Sequence, residues 1–355
     1  MDAGQQETDR SAWTRPGTFQ VAEGVHRIPL PLPGDALRAV NVYALEDADG
    51  IALVDAGWAL EQAQQALDQA LGELGHDLGS VRRCLVTHVH RDHYTLALTL
   101  RRLFGARVSL GVDERDTLEH IARPDRRHFS SGLLDRITAA GAADLVTRLL
   151  ELEQGMEPLD PDEWTLPDEW LRDDRVLQVG DRRLRVLATP GHTRGHVVFH
   201  DEDNALLFAG DHVLSQITPS IGFESVPGVS PLQDYLGSLG RVAALRDSVL
   251  LPAHGPVGPS TAARVLELQE HHAVRLSQMA DVLASGPATA LDVAGAVRWT
   301  RRGYHFADLD LFNQMIAVNE TLAHLDVLVE QGRAVARPSG EARVFSAVDH
   351  DAGGG

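Results

Sequence analysis

Thr87-His88-Val89-His90-Arg91-Asp92-His93 is the stretch whose reading decides the fold. It follows directly on the apolar run Cys84-Leu85-Val86, which reads as a buried strand. In an extended strand end, residues two apart point the same way. His88 and His90 would then present imidazoles to one cation while Asp92 and His93 serve the next position. Three histidines and an aspartate at this spacing, just past a buried strand, point to a metal site rather than to a polar loop. Cys84 is the one cysteine of the chain, so it has no disulfide partner and reads as inert core. None of the 32 basic residues is a lysine, which removes Schiff-base and amine-nucleophile chemistry and the lysine of a phosphate-cradling loop.

Outward from the motif, the pattern is hairpins, then a helix, then a strand, twice over. From Phe19 to about Val54 apolar and polar residues alternate around turn signals at Pro33-Gly34 and Asp47 to Gly50. A helical period follows over Ala59 to Leu74, then a strand at Arg83 to Thr87, a helix around Leu96 to Phe104 and a strand at Arg107 to Leu110. The second half has hairpins at Arg175 to Thr189 and Val197 to Ala209, a helix near Leu232 to Ala244 and a strand at Ser248 to Leu251. Two such halves predict an α/β fold, an αββα sandwich with a helical layer outside each sheet. Between them Gly111 to Asp174 reads as an insertion, helical over Asp135 to Gln154, for which two readings stand. It is either a surface helical pair or a lid whose Trp164 or Trp170 walls the substrate pocket. After Pro259 come helices at Ala262 to Ala284, from the capping box at Thr289 to Asp292, and at Asp308 to Gln331, then two strand-like runs around Ser339-Gly340. The expected organisation is a disordered tail over 1–18, a catalytic domain over 19–260 with its insertion at about 111–174, a small helical module with a β-wing over 261–348, winged-helix-like, and a disordered tail over 349–355.

The motif resembles the Thr-His-X-His-X-Asp-His hallmark of the metallo-β-lactamase superfamily, and the resemblance covers roughly Phe19 to Val257. Val54-Asp55-Ala56-Gly57 is similar to the family's early strand-end aspartate, which supports the metal loops. Thr189-Pro190-Gly191-His192 resembles the segment supplying a third histidine, Phe208-Ala209-Gly210-Asp211 the strand end with the bridging carboxylate, and Leu251-Pro252-Ala253-His254-Gly255 the final ligand. By that resemblance His88, His90 and His192 hold one divalent ion, Asp92, His93 and His254 hold a second, and Asp211 bridges them. Zinc is the first expectation, with iron, manganese or cobalt also compatible with imidazole and carboxylate ligands. Two bridged ions suit a shared hydroxide aimed at an electrophilic centre, with Asp92 orienting it and passing its proton to the leaving group. One departure is Tyr94-Thr95, where the family usually has a small residue. Tyr94 is then either a substrate contact or the first core residue of the next helix. His196 reads as structural within its hairpin, while His212 serves either behind the ligands or toward the substrate. The remaining histidines, including the pair His271-His272, read as solvated surface.

The His192 segment and the C-terminal helices are similar to the glyoxalase-II-like branch, whose members cleave thioesters and related acyl bonds. The expected function is therefore hydrolysis of a thioester, ester or lactone in a small acyl substrate. Rival readings are a single-stranded RNA nuclease or phosphodiesterase of the same superfamily, a persulfide dioxygenase with one iron, a β-lactamase, and a scaffold without activity. A net charge of −19 repels polyanions and argues against duplex DNA. Residues 261–355 carry 8 arginines against 12 acidic residues, a net of −4, so the C-terminal module reads as a docking or dimerisation unit, with Leu309, Phe312, Ile316, Leu322 and Leu325 as the apolar positions of a homodimer interface. The polar, acidic stretch Met1 to Gly17 and the lack of any run of ~20 apolar residues set no membrane and the cytoplasm as the expectation.

Overall fold

Alternation along Ala39–Asp47 sets the middle of the first sheet. Val40, Val42 and Ala44 turn into one apolar cluster and Tyr43 and Leu45 into another. The computed structural model describes residues 11–348 except 124, 157–163, 227, 301 and 302. Seven strands follow one another in chain order: β1 (Phe19–Ala22), β2 (Val25–Pro31), β3 (Ala39–Asp47), β4 (Gly50–Val54), β5 (Val81–Leu85), β6 (Arg107–Gly111) and β7 (Glu169–Leu171). A second sheet runs β8 (Val176–Val179), β9 (Arg182–Ala188), β10 (Val197–Asp201), β11 (Leu206–Gly210) and β12 (Val249–Pro252). In both sheets the antiparallel hairpins give way to parallel pairing, at β4–β5 and at β11–β12.

The sheets face each other across a shared cluster that includes Leu45, Val54, Leu85, Phe199, Phe208 and Leu251. The other face of the first sheet is covered by α1 (Glu61–Glu73) and α2 (Arg91–Phe104). The insertion carries α3 (Arg115–Ile121), α4 (Ser131–Ala139) and α5 (Ala143–Glu153). Outside the second sheet lie α6 (Pro231–Ala243), α7 (Thr261–Ala284), α8 (Ala290–Ala296) and α9 (Leu311–Glu330), with a small sheet of β13 (Ala288–Thr289), β14 (Ala334–Ser339) and β15 (Ala342–Ala347). The four-layer sandwich and the three helices with a terminal hairpin follow the expected pattern.

Four expectations change on contact with the packing. The stretch read as helical over Asp135 to Gln154 starts earlier, at Ser131, and is interrupted where Gly141 takes φ 83° between two helices. Leu133, Ile137, Leu145 and Leu149 of these helices join one apolar cluster with Val265, Met279, Leu322 and Phe345, so the insertion and the C-terminal helices share a core with the second sheet. No packing boundary falls at residue 260. The apolar positions of α9 are used inside the chain. Leu322 and Leu325 are buried and Ile316 packs on the same cluster, which leaves Phe312, 47% exposed, rather than a stripe for a second copy. Finally, His200, His272 and His324 are buried, not solvated. His272 faces His324 across the α7–α9 contact, with His272 Nδ1 3.1 Å from His324 Nε2.

The tails expected at both ends fall mostly outside the described residues, but 11–18 belong to the fold. Thr18 Oγ1 donates to the Ala70 carbonyl at 2.9 Å, and the Trp13 carbonyl accepts from Arg27 Nη1 at 2.7 Å. No helix of the described residues is long and apolar enough to cross a membrane.

Candidate metal centre

Where the two sheets end side by side, Val197 N–H donates to the Thr87 carbonyl at 2.8 Å. The site is built around that seam. The motif is not an extended strand end as expected: β5 stops at Leu85, residues 87–90 form bends, His90 is the N-cap of α2, and Asp92 and His93 lie in its first turn. The cause is Asp55, held at φ 57°, whose carboxylate accepts the Thr87 N–H at 2.8 Å and the Thr87 hydroxyl at 3.0 Å and draws the chain off the sheet line. The helix start also sets its positive end beside the Asp92 carboxylate.

Each histidine is turned by a bond on its far nitrogen. His192 Nδ1–H donates to the Ser220 carbonyl and His254 Nδ1–H to the Ala39 carbonyl, both at 2.8 Å. His93 Nδ1–H donates to Asp55 Oδ2 and His88 Nδ1–H to Thr87 Oγ1, both at 3.0 Å. These four therefore turn Nε2 inward. His90 presents Nδ1 instead, 3.0 Å from His88 Nε2 and 3.1 Å from His192 Nε2. Three converging ring nitrogens cannot all be satisfied by the one proton that His90 has to offer.

Asp211 divides its carboxylate between two groups of donors. Oδ2 lies 3.4 Å from His192 Nε2, while Oδ1 lies 3.4 Å from His254 Nε2 and 3.8 Å from His93 Nε2. Asp92 Oδ2 completes the second group, 3.4 Å from His254 Nε2 and 3.5 Å from His93 Nε2. The ligand atoms of His88, His90, His192 and Asp211 lie within 4.8 Å of one another, as do those of Asp92, His93 and His254. Buried Asp211 Oδ1, His93 Nε2 and His254 Nε2 have no hydrogen-bond partner. Orphaned lone pairs of nitrogen and oxygen aimed at common points are what divalent ions require, and the residues fit them.

The two groups differ electrically. Burial pushes His88 far down and His90 to about 3, with neighbouring imidazoles adding to the effect, and burial also lowers His192. These rings are neutral donors. Burial opposes charge at His93 too, yet Asp92, Asp55 and Asp211 outweigh it and hold His93 up at about 10, while Asp211 and Asp92 raise His254. Burial likewise works against ionisation of Asp92 and Asp211, but the surrounding histidines keep both below the usual carboxylate range. The second group thus has a negative field that a cation must neutralise.

Behind the donors, Asp55 bonds to the His93 ring and to Thr87. His196 also stays behind the ligands. It donates from Nδ1 to Thr189 Oγ1 at 2.9 Å, accepts the Asp211 N–H on Nε2 at 3.2 Å and stacks on His88 with ring centroids 5.0 Å apart. Gly210 makes this approach feasible, because a Cβ there would lie 2.7 Å from both His196 Nε2 and Thr87 Oγ1. His212 is fully buried with its ring 5.1 Å from Tyr235, so it faces the helical layer and not a substrate. Tyr94 is core: it is buried, stacks on Trp164 at 6.4 Å and donates its hydroxyl to the Thr165 carbonyl at 2.7 Å. That packing also corrects the lid reading, since Trp164 is a core residue and Trp170, paired with Leu110 of β6, packs on the same cluster.

Sequence reasoning missed the roles of Glu114, Arg27 and Asn41. Buried Glu114 accepts both the Val89 N–H and the Thr193 hydroxyl on Oε1, which ties the His88–His90 loop to the His192 loop. Burial, with the nearby Glu224, pushes it up to about 8. Asn41 Nδ2 donates to the Pro252 and Gly255 carbonyls at 2.9 Å, and Tyr43 OH donates to Pro252 at 2.8 Å, so the His254 loop is clamped from β3. An Asn-Val-Tyr alternation was the available signal. Glu114 had none, since its partners are far away in sequence.

A sequence profile of the Metallo-beta-lactamase superfamily matches residues 35–254. The probable metallo-hydrolase YqjP of Bacillus subtilis is 24% identical over 320 residues, 85% of this chain and 90% of that protein. The acyl-coenzyme A thioesterase MBLAC2 of Homo sapiens is 38% identical over 88 residues, which cover 24% of this chain and 30% of its own length. Among solved structures, a metallo-beta-lactamase family protein of Thermus thermophilus superposes with a TM-score of 0.72 and 30% identity, covering 93% of this chain and all of that one. With the profile spanning most of the sandwich and every donor of the motif brought into one cleft, the chain belongs to the metallo-β-lactamase superfamily.

Proposed function

We propose that this chain is a dinuclear metal-dependent hydrolase of small acyl thioesters, with related esters and lactones as secondary substrates. The observation that carries the reading is the division of Asp211, with one carboxylate oxygen toward His192 and the other toward His254 and His93. Two divalent ions bound there, zinc first, would polarise the acyl oxygen and acidify a water held between them. The chain's own residues do the rest. Asp92, whose side chain is 17% exposed against 9% for Asp211, is the carboxylate nearest the solvent and orients the attacking water. As the water oxygen bonds to the acyl carbon and the carbon–sulfur bond breaks, the proton taken at Asp92 goes to the departing sulfur, giving an acid and a thiol. The thioesterase relative supports sulfur as the leaving atom, over the short stretch it shares. The acidic C-terminal helices with their β14–β15 hairpin are read as a winged-helix-like docking module rather than a DNA reader.

The test is thiol release from a panel of acyl-coenzyme A thioesters by the purified chain, run beside labelled single-stranded RNA, a β-lactam and a persulfide. Expected are two metal ions per chain and thioester cleavage that disappears on chelation and returns with zinc. RNA cleavage without thiol release, or one iron per chain with oxygen uptake on the persulfide, would overturn the reading.

A further inference from the structure

We infer that the cavity beside His254 anchors the substrate and that Arg38 selects substrates with an anionic group at the end of a short apolar chain. The link to chemistry rests on the hydrolase reading above. The cavity measures about 230 Å³ and is lined by Trp13, Leu37, Arg38, Gln216, Ile217 and His254 among others. At ~30 Å³ for each water-sized group, it has room for roughly eight of them, too few for a large ligand and enough for a short chain.

Its walls mix apolar Trp13, Leu37 and Ile217 with the polar Ser11, Thr14 and Gln216, and Arg38 is the cation among them. Ile217, which lines the cavity with Trp13 and Leu37, is 42% exposed although it is a large aliphatic residue. Arg38 is exposed, and its guanidinium makes no hydrogen bond or ion pair among the described residues. Other exposed arginines, such as Arg102 and Arg183, are unengaged too, but among the described residues Arg38 is the arginine that lines this cavity, in a chain with a net charge of −19. It is an anion receptor with its donors open.

The site is also built rather than incidental. Arg38 takes φ 65°, uncommon for a residue with a side chain, and is held there as its carbonyl accepts the Leu32 N–H at 2.8 Å and its N–H donates to the Asp35 carbonyl at 3.2 Å. The next residue, Ala39, has the carbonyl that orients His254. On the opposite wall Arg27 Nη1 reaches both the Trp13 carbonyl and Asn41 Oδ1, at 2.7 and 2.8 Å, and Asn41 in turn grips the carbonyls flanking His254. Both walls are therefore tied to the segment that bears a metal-facing histidine. No described residue of the 111–174 insertion lines this cavity, so selectivity at it is placed on the 11–14 turn and the β2–β3 loop.

A partly apolar slot with a free cation fits a carboxylate on the acyl chain or a phosphate on the leaving group, and the two are separable. Glutaryl and pentanoyl thioesters, each made on neutral N-acetylcysteamine and on coenzyme A, are to be compared in the metal-loaded wild type and in Arg38→Gln. The expected result is a KM rise of about tenfold with kcat within twofold for anionic members only, and Arg38→Lys should recover part of it. A response confined to the glutaryl pair assigns the acyl carboxylate, and one confined to the coenzyme A pair assigns the phosphate. Glutarate and inorganic phosphate are also titrated against tryptophan fluorescence, with Trp13→Phe identifying the reporter, and Arg38→Gln should weaken the effective anion about tenfold. If no thioester turns over but that binding difference persists, the hydrolase reading fails and the subsite stands. If Arg38→Gln changes neither KM nor anion binding, the subsite is wrong.

Discussion

His272 and His324 are as buried as His88 and His192, with 1%, 0%, 0% and 3% exposure, and in both places ring nitrogens meet at 3.0–3.1 Å. The two clusters are even joined by packed rings, His196 to His212 at 6.1 Å, His212 to Tyr235 at 5.1 Å and Tyr235 to His272 at 5.4 Å. Their hydrogen-bond accounts differ. His324 Nδ1–H donates to the Glu320 carbonyl at 2.7 Å, so its Nε2 is an acceptor that takes the His272 Nδ1–H, and only His272 Nε2 is left without a partner, with no second lone pair aimed at it. At the metal centre every far nitrogen except that of His90 is spent on the protein, every near one is turned toward the other donors, and carboxylates stand between. No third donor joins His272 and His324 among the described residues. Burial and proximity of histidines do not make a metal site; the direction of the lone pairs does.

Asp211→Asn should break the comparison most sharply. It removes the carboxylate shared by the two donor groups, so activity should fall by at least about a thousandfold. Metal content should drop from two ions per chain to one or fewer, by elemental analysis. His272→Phe, by contrast, should leave both ions in place. Equal metal content in wild type and Asp211→Asn would remove the basis for a bridged pair.

Asp55→Ala comes next. It touches no proposed metal position directly, yet it releases the His93 ring, the Thr87 N–H and the Thr87 hydroxyl at once. Loss of such an orienting partner typically weakens metal affinity about 10–100-fold, to be read by competition with a chromophoric chelator. Orphaned buried donors should lower stability by about 1–3 kcal/mol as well. Unchanged affinity would mean that His93 is aimed by packing alone.

This contrast also explains what could be read in advance. The donors were legible because each ends a strand or opens a helix: Leu251-Pro252-Ala253-His254 is an apolar run stopping at a histidine, as is Phe208-Ala209-Gly210 before Asp211. The sandwich was legible for the same reason, since β3, β4, β10 and β11 alternate between two clusters. His272 was not, because the adjacent His271 and the acidic Glu270 look like a solvated helix face, and its partner His324 lies 52 residues on. Trp164 misled in a related way. An aromatic residue in an acidic loop suggests a lid until Tyr94 is found beneath it. Trp13 and Arg38 lie in segments with no periodicity, where side-chain direction is set by long-range bonds such as Arg27 to Trp13.

The smallest effect is the one that isolates the His272–His324 pair. Burial, with the neighbouring histidines and Arg275, pushes His272 down to about 2, and burial, with Arg275 and His271, pushes His324 to about 3 despite its bond to the Glu320 carbonyl. Glu320 is itself raised by burial, and Tyr235 is raised far above any working pH, so neither changes charge in favour of an imidazolium between pH 5 and 7. Both rings are thus neutral when folded, whereas an unfolded histidine titrates near 6.5. As pH falls below that value the unfolded chain takes up protons that the folded chain refuses, so stability is complete above about 6.5 and is lost on acidification. Between pH 6.5 and 5.5 each such histidine should remove about 1 kcal/mol. The buried histidines of the metal centre also contribute, His88, His90 and His192 in the same direction and the raised His93 and His254 in the opposite one, so the measurement is a difference: chelated wild type against chelated His272→Phe, by urea unfolding at both pH values. The substitution should make the acid loss smaller by about 1 kcal/mol whatever its effect on stability at neutral pH. Identical losses would show that His272 already carries its proton in the folded chain, and the pair would then be the second cation-bearing histidine cluster, not the neutral counterpart of the first.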